Sequence, residues 1–82
     1  MDGKGVVEVV TSAWRSVLDL PLSYEFGEED FFSLGGKSLM AVSLVELVER
    51  RLSIKFPLHV LFMDGRLDPM IEECMAAVRE SE

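Results

Sequence analysis

The sequence predicts an all-α fold: a small four-helix bundle of three longer helices and one short helix, with a long loop between helices 1 and 2. Three segments repeat apolar residues at spacings of three and four, which is typical of helices with one buried face. Proline and glycine separate these segments, and no stretch alternates apolar and polar residues as a half-buried strand does. Because 82 residues support one modest core, we expect residues 1–82 to form a single domain.

The first helix is predicted over Val6–Leu18, after a loose lead-in at residues 1–5. This segment lacks glycine and proline, and its apolar residues recur at helical spacing: Val6, Val9, Val10, Ala13, Trp14 and Val17. Pro21 follows its end. Residues 19–37 then form a long, unusually apolar connection, and loops of this length are often functional. We expect its apolar side chains to hold it against the core: Leu20, Leu22, Tyr24, Phe26, Phe31, Phe32 and Leu34.

The second helix is predicted over residues 38–52, where five apolar residues share one direction at 100° per residue. This predicted core face comprises Ala41, Leu44, Val45, Val48 and Leu52. Leu39 points almost opposite to it, while Met40 and Leu47 lie on one flank. Either Leu39 is exposed, which would mark a contact surface, or the long loop covers it.

The last two helices follow the break at residues 53–57. Residues 58–63 predict a short helical turn with Leu61 and Phe62 pointing inward, and Asp64-Gly65 ends it. Asp68-Pro69 predicts the start of the fourth helix, with Asp68 as its cap. Its apolar stripe comprises Met70 or Ile71, Cys74, and Ala77 or Val78.

The net charge of −7 comes from 15 acidic and 8 basic residues spread over both halves of the chain. Such a balance argues against nucleic-acid binding, which needs clustered Lys and Arg, and it favours partners with basic surfaces. A single cysteine excludes an internal disulfide, and a lone histidine has no second ligand for a metal. No apolar run suits a membrane span or a secretory signal, so we expect a cytoplasmic monomer that binds no membrane.

Residues 30–40 carry the candidate site. Two aromatic residues and a leucine lead into Gly35-Gly36, and Ser38 follows where the second helix begins, in a position suited to an N-cap. The sequence Gly36-Lys37-Ser38 does not complete a nucleotide-binding loop, because Phe31 occupies the position of its first glycine. A hydrolytic serine needs a base within reach, and the one histidine, His59, lies on another element. Serine catalysis is therefore not expected, and Cys74 is read as a core residue.

The stretch Asp30-Phe31-Phe32-x-Leu34-Gly35-Gly36-x-Ser38-Leu39 resembles the attachment motif of peptidyl carrier proteins, the thiolation domains of nonribosomal peptide synthesis. The resemblance continues in the Trp14–Leu18 run and in Pro57-Leu58-x-x-Leu61-Phe62, so it covers nearly the whole chain.

The resemblance implies that Ser38 receives a 4′-phosphopantetheine arm from coenzyme A, transferred by a phosphopantetheinyl transferase with magnesium. Gly36 and Lys37 would flank the root of the arm. The arm's thiol would hold an aminoacyl or peptidyl group as a thioester for adenylation, condensation and tailoring enzymes. The chain itself would be a non-catalytic carrier, because the cofactor supplies the reactive sulfur.

A contact surface for these enzymes is expected beside the serine, formed by Leu39, Met40, Leu47, His59 and Phe62. Lys37 departs from the family, which usually has His or Asp before the serine, and Arg66 stands where Thr is frequent. Lys37 leaves the partner class open. An acyl carrier protein serving a ketosynthase in polyketide or fatty acid assembly is one alternative. An unmodified helical interaction module, with Ser38 as a cap only, is the other.

Overall fold

The computed structural model describes residues 3–80, which form four helices in the predicted order: α1 Gly3–Leu18, α2 Ser38–Leu52, α3 Leu58–Met63 and α4 Leu67–Glu80. The all-α prediction, with three longer helices, one short helix and a long loop after the first, is confirmed. Within residues 3–80 the only extended pairing is an isolated antiparallel bridge between Asp30 and Arg66. No helix in this range is long and apolar enough to cross a membrane.

Two predicted helix starts are wrong. Helix α1 already includes Gly3, so the loose lead-in is wrong for residues 3–5, while residues 1 and 2 lie outside the described range. Glycine weakens a helix by only about 1 kcal/mol relative to alanine, and packing readily overrides that preference. Helix α4 begins at Leu67, because this leucine is buried in the first turn, and Asp68 therefore lies inside the helix and not at its cap.

The core forms where α1 packs against both α2 and α4. The predicted core face of α2 is confirmed, since Ala41, Leu44, Val45, Val48 and Leu52 are all buried. Trp14 is fully buried, and its indole N–H donates to the Met70 sulfur at 3.2 Å. Burial of the indole with its N–H paired joins α1 to α4 at the centre of the bundle.

Arg15 fastens the first part of the long loop to α1. Its guanidinium donates to the Tyr24 carbonyl at 3.0 Å and lies 5.0 Å above the centre of the Phe26 ring. Phe26 in turn meets Trp14 edge to face, with ring centres 5.8 Å apart. The expectation that the loop packs on the core is confirmed for Phe26 but wrong for Leu22, which is 90% exposed.

The turn after α2 is fixed by Glu49, whose carboxylate accepts the backbone N–H of Phe56 at 2.7 Å. This bond brings Phe56 into the core beside α3. In α3, Leu61 is fully buried as predicted, whereas the inward orientation predicted for Phe62 is wrong because its side chain is 47% exposed. Neighbouring helical residues point about 100° apart, and Phe62 here turns away from the core to stack on Phe32 of the long loop.

Candidate functional site

Residues Asp30–Gly36 form one helical turn whose first end is capped by Asp30. The Asp30 carboxylate accepts the backbone N–H of Ser33 at 2.8 Å, and the Asp30 carbonyl accepts the N–H of Leu34 at 3.2 Å. This is the bonding pattern of an N-cap residue, here at the start of a single turn. An Asp three residues before Ser33, with a glycine pair soon after, was the cap signal available in the sequence.

The second end of the turn is closed by the paired glycines. The Gly36 N–H bonds to the Phe31 carbonyl at 3.0 Å, and the Gly35 N–H bonds to the Phe32 carbonyl at 3.2 Å. Together with a φ of +100° at Gly35, these bonds form a Schellman motif, for which glycine is strongly preferred. The chain therefore reverses at Gly35 without strain and leads directly into α2.

Gly36 lies directly against the buried Phe31 ring. A Cβ placed on Gly36 would come within 2.4 Å of two ring carbons and 2.7 Å of the Phe31 carbonyl oxygen. Phe31 is fully buried and meets Trp14 edge to face at 5.3 Å between ring centres. The position of the turn is thus set by close packing on the core and not by loop length alone.

Ser38 is the first residue of α2, and Lys37 is its N-cap. The prediction that Ser38 caps the helix is therefore wrong by one residue. Lys37 has an extended backbone and makes no side-chain capping bond, and its carbonyl accepts the N–H of Ala41. Ser38 is exposed, and no hydrogen bond from its hydroxyl occurs within residues 3–80. A cap-only role for this serine has no geometric support.

The amino end of α2 favours a bound anion at Ser38. The first backbone N–H groups of a helix lack partners inside the helix, and the helix dipole is positive there. No acidic residue occupies the first turn of α2, so nothing in that turn competes for this positive end. The site can therefore hold a phosphodiester attached to Ser38, with the Lys37 ammonium on the adjacent residue.

Catalytic groups are not assembled around Ser38 in the described part of the chain. His59 is exposed on α3 and shares no hydrogen bond with the serine. Burial raises the pKa of the Cys74 thiol from 9.0 to about 12, which confirms the core interpretation of that residue. Residues 3–80 also contain no cluster of His, Cys, Asp and Glu suited to a metal ion.

The residues predicted for partner contact differ widely in exposure. Leu39 is 82% exposed, so the alternative that the long loop covers it is wrong. His59 is exposed and Phe62 is partly exposed, whereas Met40 and Leu47 are half-buried against the core. Sequence reasoning missed Met63, which is 81% exposed next to Phe62 and carried no signal that separated it from the core.

Arg66 directly precedes α4 and lies beside the turn Asp30–Gly36. Its guanidinium pairs with the Asp64 carboxylate at 2.8 Å on the surface. The hydrogen bond from Arg66 lowers the pKa of the Asp64 carboxyl below its ordinary value of 3.8. The bridge between Arg66 and Asp30 joins this corner to the turn, so the arginine is compatible with the fold although the family often has Thr there.

An open groove of about 710 Å³ lies far from Ser38, between the carboxyl-terminal halves of α2 and α4. Its nearest α2 residue, Glu46, is eight residues and about 12 Å along the helix from the serine.

A helical bundle that presents an exposed serine at the start of a helix, behind a capped and closely packed turn, has the geometry that a carrier domain needs. The sequence matches the family described as "Phosphopantetheine attachment site" over residues 8–72, and the chain belongs to this family. Its cofactor is accordingly phosphopantetheine, and the described residues fit it, since the helix amino end and the free hydroxyl suit a phosphodiester.

Similar proteins are peptide synthetases. The chain is 34% identical over 70 residues to a component of the linear gramicidin synthase of Brevibacillus parabrevis, with 85% of the chain and 1% of that protein covered. It is 32% identical over 73 residues to tyrocidine synthase 3 of the same organism, covering 88% of the chain and 1% of the synthase. It is 31% identical over 65 residues to N-(5-amino-5-carboxypentanoyl)-L-cysteinyl-D-valine synthase of Amycolatopsis lactamdurans. This match covers 79% of the chain and 2% of the synthase.

The chain therefore spans a very small part of each of these relatives. The part it matches is a carrier domain of the kind found in nonribosomal peptide synthesis.

Proposed function

We propose that Ser38 carries the 4′-phosphopantetheine arm and that the arm holds an aminoacyl or peptidyl group as a thioester. The observation that carries this proposal is the exposed, unbonded Ser38 hydroxyl at the first position of α2. A hydroxyl used as a helix cap would be engaged with a backbone N–H, whereas this one is open to an incoming phosphate. The unit of function is a single carrier domain over residues 1–82, acting as a monomer.

The chain is a substrate and not an enzyme in this proposal. A phosphopantetheinyl transferase with magnesium removes the proton of the Ser38 hydroxyl, and the oxygen attacks the phosphorus next to the pantetheine in coenzyme A. The phosphoanhydride bond breaks, and adenosine 3′,5′-bisphosphate leaves with the electron pair. The chain supplies position: the turn at Asp30–Gly36 sets where the oxygen stands, and α2 stabilises the new phosphodiester by roughly 0.3–1 kcal/mol.

The partners proposed for the loaded arm are adenylation, condensation and tailoring enzymes. They would contact the surface beside the serine, formed by Leu39, Met40, Leu47, His59 and Phe62. The exposed leucine next to Ser38 supports this assignment, because such a side chain gains from burial only when a partner covers it. Docking should be transient, since the carrier must leave one enzyme to reach the next. Lys37 would face the partner close to the phosphodiester and discriminate against a basic group there.

Intact-protein mass measurement tests the proposal. After incubation with coenzyme A, magnesium and a transferase of broad specificity, the chain should gain the mass of one phosphopantetheinyl group. Ser38→Ala should gain nothing. Ser43→Ala is the matched control, because Ser43 is also an exposed serine of α2, and this variant should be modified like the wild type. The proposal is refuted if the wild-type chain stays unmodified while a known carrier protein in the same reaction is modified. The chain would then be the unmodified helical interaction module.

A further inference from the structure

Two segments distant in sequence meet at the turn that presents Ser38. The Phe31 N–H donates to the Gly65 carbonyl at 2.8 Å, and the isolated bridge pairs the neighbouring Asp30 with Arg66. Gly65 is packed so tightly that a Cβ there would lie 3.3 Å from both the Asp30 Cβ and a Phe32 ring carbon. The corner between α3 and α4 is therefore fastened to the first half of the turn.

A ring stack extends this contact to α3. Phe32 and Phe62 stack with their centres 5.4 Å apart and their planes 18° from parallel. The Phe32 ring also meets the buried Phe31 edge to face at 5.4 Å, and the Phe32 carbonyl accepts the Gly35 N–H that closes the turn. Phe32 therefore joins the ring stack to the backbone bond that reverses the chain before Ser38.

The Phe62 ring is bound on one side and accessible on the other. It is 47% exposed, whereas Phe32 is half-buried against the core. Within α3, Leu61 is the residue buried in the core, while Leu58 and Val60 pack against the core partly buried. A partner that covers the exposed part of Phe62 therefore contacts a ring that is already stacked on Phe32 in the turn Asp30–Gly36.

We propose that Phe62 is a positioning residue that holds the Ser38 turn in its closed form through Phe32. The importance of that turn for arm attachment rests on the function proposed above, but the coupling is a property of the unmodified chain. Phe62 thus orders the turn before any partner arrives. A partner that stacks on or displaces this ring changes how firmly Ser38 is presented.

Amide hydrogen exchange of the unmodified protein, followed residue by residue by NMR, tests the proposal. Phe62→Ala should speed exchange at the Gly35 and Gly36 amides by about two- to tenfold, the range to which aromatic pair energies correspond. Amides in the middle of α2, such as that of Leu44, should keep their rates. Phe62→Tyr retains the ring and can place its hydroxyl in solvent, so it should keep the wild-type rates at both glycines.

Met63→Ala is the matched control, because Met63 is an exposed apolar residue of the same helix and its side chain carries no ring to stack on Phe32. It should leave the glycine amides unchanged. The Phe32→Leu variant should reproduce the effect of Phe62→Ala, and the double variant should add little to either. Equal acceleration at Gly36 and Leu44 would indicate general destabilisation and would overturn the proposal, as would unchanged exchange at both glycines in Phe62→Ala. None of these outcomes depends on whether Ser38 is ever modified.

Discussion

Replacing Gly36 with alanine should destabilise the protein and displace the turn before Ser38. The added Cβ would come within 2.4 Å of two carbons of the Phe31 ring, more than 1 Å closer than the 3.5 Å or so at which carbon atoms rest. It would also lie 2.7 Å from the Phe31 carbonyl oxygen, a backbone atom that cannot swing aside. Phe31 is fully buried against Trp14, so the ring has no free volume into which to move.

Overpacking of this kind typically costs about 1–3 kcal/mol. A loss of about 2 kcal/mol should lower the melting temperature of a domain of this size by roughly 8–16 °C. Urea unfolding is well suited to the measurement, because Trp14 is the one tryptophan in the chain and is fully buried. The midpoint should fall while the slope against urea stays constant, as expected when the stability changes and the surface exposed on unfolding does not.

Gly27→Ala is the control for this experiment. The nearest atom to a Cβ at Gly27 is the end of the exposed Glu29 side chain, which can rotate away, so this variant should lose no more than about 0.5 kcal/mol. If Gly36→Ala unfolded within about 0.5 kcal/mol of the wild type, the close packing of Gly36 on Phe31 would not be what fixes the turn.

Three further predictions use other contacts. Glu49→Ala should lower the free energy of unfolding in urea by about 1–3 kcal/mol, because the partly buried Phe56 N–H loses its acceptor. Glu49→Gln should lose less, because its side-chain amide oxygen can still accept this N–H. Equal losses in the two variants would refute the hydrogen-bond explanation. The buried Cys74 thiol should resist a thiol reagent at pH 8 until the protein unfolds. The thiol loses its proton near pH 9 in the unfolded chain and near pH 12 in the folded chain. Its contribution to the stability should therefore fall as the pH rises from 9 to 12. Leu39→Asp should keep the circular dichroism spectrum of the wild type, since Leu39 is 82% exposed. Aminoacylation of the modified carrier by an adenylation enzyme should slow at least severalfold. A loss of helicity would instead place Leu39 in the core.

The sequence alone determined the helices and the main face of the core. The apolar period of α2 identified all five of its buried residues, because a regular helix converts sequence spacing directly into direction. The motif at Asp30–Leu39 likewise predicted the glycine turn and the start of α2 at Ser38, since glycine pairs and a helix start are local features.

The tertiary structure alone decided the contacts between distant segments. Whether Leu39 was covered, and whether Phe62 faced inward, depended on where the loop and α3 pack, and no local pattern records that. Burial of Leu67 likewise moved the start of α4 ahead of the Asp68 signal. The contact between Gly36 and Phe31 has the same origin, because it needs a ring fixed by Trp14 from another helix. Periodicity fixes the direction of a side chain within its own helix, whereas the exposure of that side chain depends on which other segment packs against it.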